Sequence, residues 1–206
     1  MPSHGLSLRR GSTIGHKYIR DSKIFLRESQ YTSASVSPSL AVSEIWFTAD
    51  HHFCHKNIIK YCNRPFANVR EMDETMIRKW DTLVQREDTV YHLGDFAFAS
   101  KAVIAALLQS LNGRKILLKG NHDGSWARQA NVGWHHVSKA ISTKIGDIWI
   151  DMAHSPLHFE DANEFGYVLC GHAHEKWKMK GRILNVGVDQ WDFYPVHLQQ
   201  VKEMFQ

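Results

Sequence analysis

Apolar residues along this chain fall into short runs, and most runs stop at a cluster of polar side chains. Ile45-Trp46-Phe47-Thr48 reads as a buried strand and leads straight into Ala49-Asp50-His51-His52. Apolar positions at 72, 76, 80, 83 and 84 recur at helical spacing and predict a helix over 72–84. A strand over 89–93 ends in Gly94-Asp95, and a helix over 101–111 is stopped by Asn112-Gly113. The next strand, 115–118, ends in Gly120-Asn121-His122-Asp123. Residues 141–153 read as a hairpin around Gly146-Asp147 whose second arm stops at His154. A strand over 167–170 ends in Gly171-His172-Ala173-His174, a last strand spans 182–188, and 196–205 forms a short closing helix. Strand–helix–strand alternation followed by hairpin-like strands predicts a mixed α/β domain.

Residues 1–43 lack this punctuation. They hold ten serines and one short apolar cluster, Ile24-Phe25-Leu26, which predicts a disordered extension ahead of a single domain over 44–206. Their Arg- and Ser-rich, acid-poor makeup also fits an organelle targeting segment, whereas a secretory signal would need an apolar core they lack. The net charge of +4 sits here, in six basic and two acidic side chains; residues 44–206 carry 19 of each sign. A charge-balanced domain has no phosphate-backbone footprint, so nucleic acid is expected only as a substrate. No run reaches the 18 or more apolar residues of a membrane span. Three cysteines are too few for a disulfide framework, which points to a reducing, cytoplasmic setting.

Fourteen histidines are many for 206 residues, and their placement gives the number meaning. Five predicted strands end in Asp50/His52, Asp95, Asn121/His122, His154 and His172/His174. Ligands of α/β sheets collect at the carboxyl ends of strands, so the five clusters can converge on one site. Imidazole mixed with carboxylate suits Mn, Fe, Zn or Ni better than calcium. Eight candidates exceed the three or four that one ion needs, and they suit two ions sharing a carboxylate. Alternation along a strand would aim Asp50 with His52, and His172 with His174, to one side, and His51 away. Taken singly, Gly-Asp is usually a turn and Asn-His a loop cap; the weight lies in their common place at strand ends.

The series Asp50-x-His52, Gly94-Asp95, Gly120-Asn121-His122-Asp123, His154 and Gly171-His172-x-His174 resembles the signature of the calcineurin-like metallophosphoesterase superfamily. The likeness covers 44–206, and the stretches 48–59, 60–66 and 185–196 resemble its small bacterial and phage members. The resemblance implies a four-layer α-β-β-α sandwich with two mixed sheets flanked by helices. It implies two divalent ions, manganese first, with iron, zinc or nickel as alternatives. One would take Asp50, His52, Asp95 and His174, the other Asp95, Asn121, His154 and His172, with Asp95 bridging. A hydroxide between the ions would attack a phosphodiester or phosphomonoester, in a small phosphate ester or nucleotide. His122 would be the catalytic histidine that protonates the leaving oxygen, and Asp123 would orient it. Outside the signature, Arg64 would touch a substrate phosphate or form a structural salt bridge, His55 and His158 would line the pocket, and Trp126, just after the Gly-Asn-His-Asp loop, is the aromatic placed to touch a substrate. Such members usually carry glycine where this chain has Cys54. A nuclease using the same site would need a basic groove, and a non-catalytic protein-binding scaffold would have lost ligands; none is missing here.

Overall fold

The computed structural model describes residues 42–159 and 166–206, so the expected disordered extension lies outside it except for its last two residues. Strand β1 (Ile45–Thr48) pairs in parallel with β2 (Thr89–His92), and β2 with β3 (Arg114–Leu118) and β3 with β4 (His136–Ser138) likewise. A short strand at Val196–His197 runs antiparallel on the other side of β1. The second sheet holds the predicted hairpin, β5 (Ala140–Ile145) and β6 (Ile148–Ala153), closed by Gly146 at φ +62°. Beyond it lie β7 (Tyr167–Cys170), β8 (Met179–Lys180) and β9 (Ile183–Asn185), in the order β5-β6-β7-β9-β8, with β10 denoting Val196–His197. The chain is thus an α/β sandwich of two mixed sheets flanked by helices, as expected.

Alternation on β1 explains the two cores. Trp46 packs with the helices, beside Met72, Met76, Trp80, Val90, Ile104 and Leu108. Phe47 packs between the sheets, with Leu93, Leu118, Ile150, Met152, Leu169 and Leu184. The helices on the first core are α1 (Lys56–Tyr61), α2 (Val69–Leu83) and α3 (Lys101–Ser110). The short α4 (Trp126–Gln129) follows β3, and α5 (Leu198–Met204) closes the chain, with Phe205 stacked on Tyr167 of β7 at 4.4 Å.

Where boundaries depart from the periodicity, local hydrogen bonds are the reason. Helix α2 starts before residue 72 because the Asn68 side chain accepts from Glu71 N at 3.0 Å while Glu71 Oε2 accepts from Ala67 N. The Asn68 cap, backed by the Ala67–Glu71 bond, sets the start, not the apolar stripe. The closing helix begins two residues late because Val196 and His197 pair with β1 first. Helix α1, α4 and the short β4 and β8 carry too few periodic positions to be read from pattern.

Candidate metal centre

Ligand-bearing segments leave β1, β2 and β3 side by side, and β6 and β7 side by side in the other sheet. The two sheets meet where Ala49 bridges Gly187 and Val188 N donates to Ala49 O. This joint brings the strand ends together. Glycine is required at it: a Cβ on Gly187 would stand 2.6 Å from Asp50 Oδ2, and one on Gly171 2.9 Å from the same oxygen.

The geometry that brings these residues together is not strand alternation. Asp50, His52, Asp95, His172 and His174 lie past their strands with φ between +47° and +69°. Cys54 shares this left-handed conformation at +65°, which explains why a glycine suits its position. Left-handed backbone at non-glycine residues is strained and concentrates at functional sites. His51 does turn away: it is buried, bonds His92 through Nδ1 at 3.0 Å and stacks on Phe53.

Each aspartate has one oxygen pinned by backbone from another strand end. His172 N donates to Asp50 Oδ2 at 2.9 Å, and His122 N to Asp95 Oδ1 at 2.8 Å. The second oxygens face imidazoles. Asp95 Oδ2 lies 3.5 Å from His52 Nε2 and 3.4 Å from His154 Nε2, so it stands between two groups of candidates. On one side, ligand atoms of Asp50, His52 and His174 all lie within 4.8 Å of one another. On the other, His154 Nε2 is 2.9 Å from Asn121 Oδ1 and 3.2 Å from His172 Nδ1. His154 Nδ1 donates to Leu93 O at 2.8 Å, which turns the Nε2 lone pair toward Asp95 and Asn121. Acceptors facing acceptors require a positive charge between them, a proton or a metal ion. A ring N–H donated to a backbone carbonyl is the usual support of a metal-binding histidine.

The electrostatics agree. Burial pushes the Asp50 carboxyl up to about 6 and the His52 imidazolium down to about 2, so both resist charging in the protein alone. Burial also opposes charge on His174, but bonds to Asp189 and Cys62 and the Asp50 charge outweigh it and raise the imidazolium to about 10. Asp50 Oδ1 and His52 Nε2 are buried with no hydrogen-bond partner. Such orphans are rare in proteins, and a cation would satisfy them.

The expected role of Asp123 is corrected, and of the two roles open to Arg64 the structure shows the salt bridge. Asp123 does not orient His122: its Oδ2 accepts from Asp95 N and Gly120 N at 2.8 and 2.7 Å, and its Oδ1 from Phe96 N at 2.9 Å. It fastens the Asp95 loop to the Asn121 loop. Arg64 is not free for a substrate either. Its buried guanidinium makes two bonds to Asp189, at 2.8 and 3.0 Å, and donates to the carbonyls of His51 and Asp50. Asp189, which no sequence signal singled out, continues this chain to His174 Nδ1 at 3.0 Å. His122 is exposed, its ring 5.3 Å from that of His52, and His55 lies at the margin, 5.5 Å from His52.

No known protein-family profile matches the chain. It is 31% identical over 176 residues to an uncharacterised protein of Methanocaldococcus jannaschii, covering 81% of this chain and 94% of that one. Over 184 residues it is 30% identical to the gene 66 protein of mycobacteriophage L5, covering 73% and 88%. The crystal structure of a protein of unknown function from Aquifex aeolicus superposes with a TM-score of 0.63 at 21% identity, over 79% of this chain and all of that one, and so shares its fold. A solved archaeal phosphodiesterase is a weaker likeness, at 22% identity and a TM-score of 0.43, over 70% and 82%.

Proposed function

This chain belongs to the same family as the Methanocaldococcus jannaschii protein and the phage L5 gene 66 protein, and from its site we propose that it is a metal-dependent phosphoesterase of the calcineurin-like type. It hydrolyses a phosphodiester or phosphomonoester at a two-metal centre, with manganese the first choice of ion. One observation carries the reading: acceptor atoms from five strand ends converge with Asp95 Oδ2 between two histidine-bearing groups. The donor set fits the ions. The orphaned Asp50 Oδ1 and His52 Nε2 lack only a cation, and imidazole with carboxylate and amide oxygen suits first-row metals.

Asp50, His52, Asp95 and His174 would hold one ion, and Asp95, Asn121, His154 and His172 the other. When bound, such ions would supply Lewis acidity that lowers the pKa of water and offsets charge on the phosphoryl oxygens. The chain's own residues do the rest. Leu93 O fixes His154, Asp189 fixes His174, and Asp123 holds the Asp95 and Asn121 loops at one spacing. Exposed, with its backbone pinned to Asp95, His122 is positioned to give a proton to the leaving oxygen.

The test is a panel of phosphate esters assayed with Mn²⁺ restored after chelation, on wild type and His122→Ala. Hydrolysis that requires the ion is expected. The variant keeps its metal content and loses about 10²–10⁴-fold in rate on an alkyl ester, but much less on a nitrophenyl ester, whose leaving group needs no proton. Metal binding without hydrolysis of any ester would overturn the reading.

A further inference from the structure

The large apolar side chains left exposed are not scattered over the described residues. Of seven, four follow ligand-bearing strand ends: Tyr61, Phe98, Trp126 and Leu157, exposed by 66, 59, 47 and 71%. Isolated exposed apolar residues need no explanation, but two that pack on His55 at the margin of the candidate site, Tyr61 and Phe98, do. Three rings connect this margin to the centre. The His52 ring lies 5.5 Å from that of His55, and His55 stacks on Phe98 at 4.9 Å with 26° between planes. Tyr61 stands edge-on to His55 at 6.2 Å. The platform is held by backbone, since Phe98 N donates to Phe53 O at 2.8 Å and Ala97 bridges Phe53. Among the described residues the ring ladder runs to Phe98, not to Trp126, whose ring partner is Lys119.

A flat, rigid aromatic surface gains most from another planar ring laid upon it. We propose that the solvent face of Phe98, backed by His55 and flanked by Tyr61, receives the base of a single nucleotide whose phosphate lies at the metal centre. The inference rests on the phosphoesterase reading and narrows its substrate to nucleotide esters. A polymer is disfavoured because residues 44–206 carry equal numbers of acidic and basic side chains, so nothing in their net charge tracks a long phosphate backbone.

Adenosine 5′-monophosphate and ribose 5-phosphate share sugar and phosphate and differ by the base. Their dissociation constants are measured by calorimetry on the full chain supplied with Mn²⁺ and carrying His122→Ala, so that neither monoester is turned over appreciably during the titration. The mononucleotide is expected to bind roughly tenfold tighter or better. Phe98→Ala should bring it to the level of ribose 5-phosphate without changing the latter, and Phe98→Trp should preserve the preference. Equal affinities with Phe98 in place, or a preference that survives Phe98→Ala, would overturn the proposal while leaving the phosphoesterase reading intact. So would an oligonucleotide that binds far tighter than the mononucleotide with steep salt dependence. If neither ligand binds the inference fails, and the ester panel on the same preparation tells whether the phosphoesterase reading fails with it.

Discussion

Asp189 meets Arg64 with both carboxylate oxygens and His174 with one of them, and its side chain is only 3% exposed. Burial raises the cost of its charge, but His174 and Arg64 overcome that and hold the carboxyl below its ordinary value. Asp189→Asn would leave the buried guanidinium without a counter-charge, at an expected loss of about 3–5 kcal/mol of stability. It would also release His174 Nδ1, so metal affinity should fall roughly 10–100-fold. Denaturant melts measure the first effect and competition against a chelator the second; unchanged affinity would separate Asp189 from the centre. Asp73 acts differently. Burial raises its carboxyl from 3.8 to about 6, more than its bonds from Cys54 lower it. The folded state then binds a proton that the unfolded chain has released, so this group's contribution to stability is present below 3.8 and lost as pH rises through about 6. Asp73→Asn removes the titration, and the variant should gain on wild type across that window. Melts of both proteins from acid to neutral pH check it.

At the scale of elements, α2 bears most directly on the first core. Met72, Met76 and Trp80 are fully buried along one face, and Trp80 Nε1 also donates to Asn112 O at 3.0 Å. Trp80→Ala removes the largest fully buried side chain among the described residues and leaves that carbonyl without its partner. The expected loss is about 3–5 kcal/mol. It should be read as a lower urea midpoint at unchanged slope. His51 packs on the Trp80 ring at 5.5 Å, directly beneath the Asp50–His52 segment. The same variant should therefore loosen the candidate site from below, seen as weaker metal retention.

For the whole molecule, the described residues already hold both sheets, both cores and every candidate ligand. We propose accordingly that residues 42–206 fold by themselves. Deleting residues 1–41 should leave the melting temperature and metal content as they were; a drop of many degrees would show that the segment packs on the domain. Among the described residues no helix is long and apolar enough to cross a membrane.

Strand-end clusters were legible in the chain because a buried strand must be apolar and must stop where polar chemistry begins. The order Asp50, His52, Asp95, Asn121, His154, His172 and His174 is therefore visible as a pattern, and so is the α/β class. Sequence also marked Gly146-Asp147 as a turn and Asn112-Gly113 as a helix stop, where Gly146 and Gly113 take φ of +62° and +84°. What it could not give is how distant segments share hydrogen bonds. Arg64 and Asp189 are 125 residues apart and meet only because the sheets join at Ala49 and Gly187. Asp123 follows His122 in the chain, yet its oxygens are claimed by backbone of residues 95, 96 and 120. Nothing in the sequence pattern singles out Phe98; the loop pairing of Phe53 with Ala97 leaves it exposed beside His55. A residue's type fixes what bonds it can make; only the folded arrangement decides which groups compete for them.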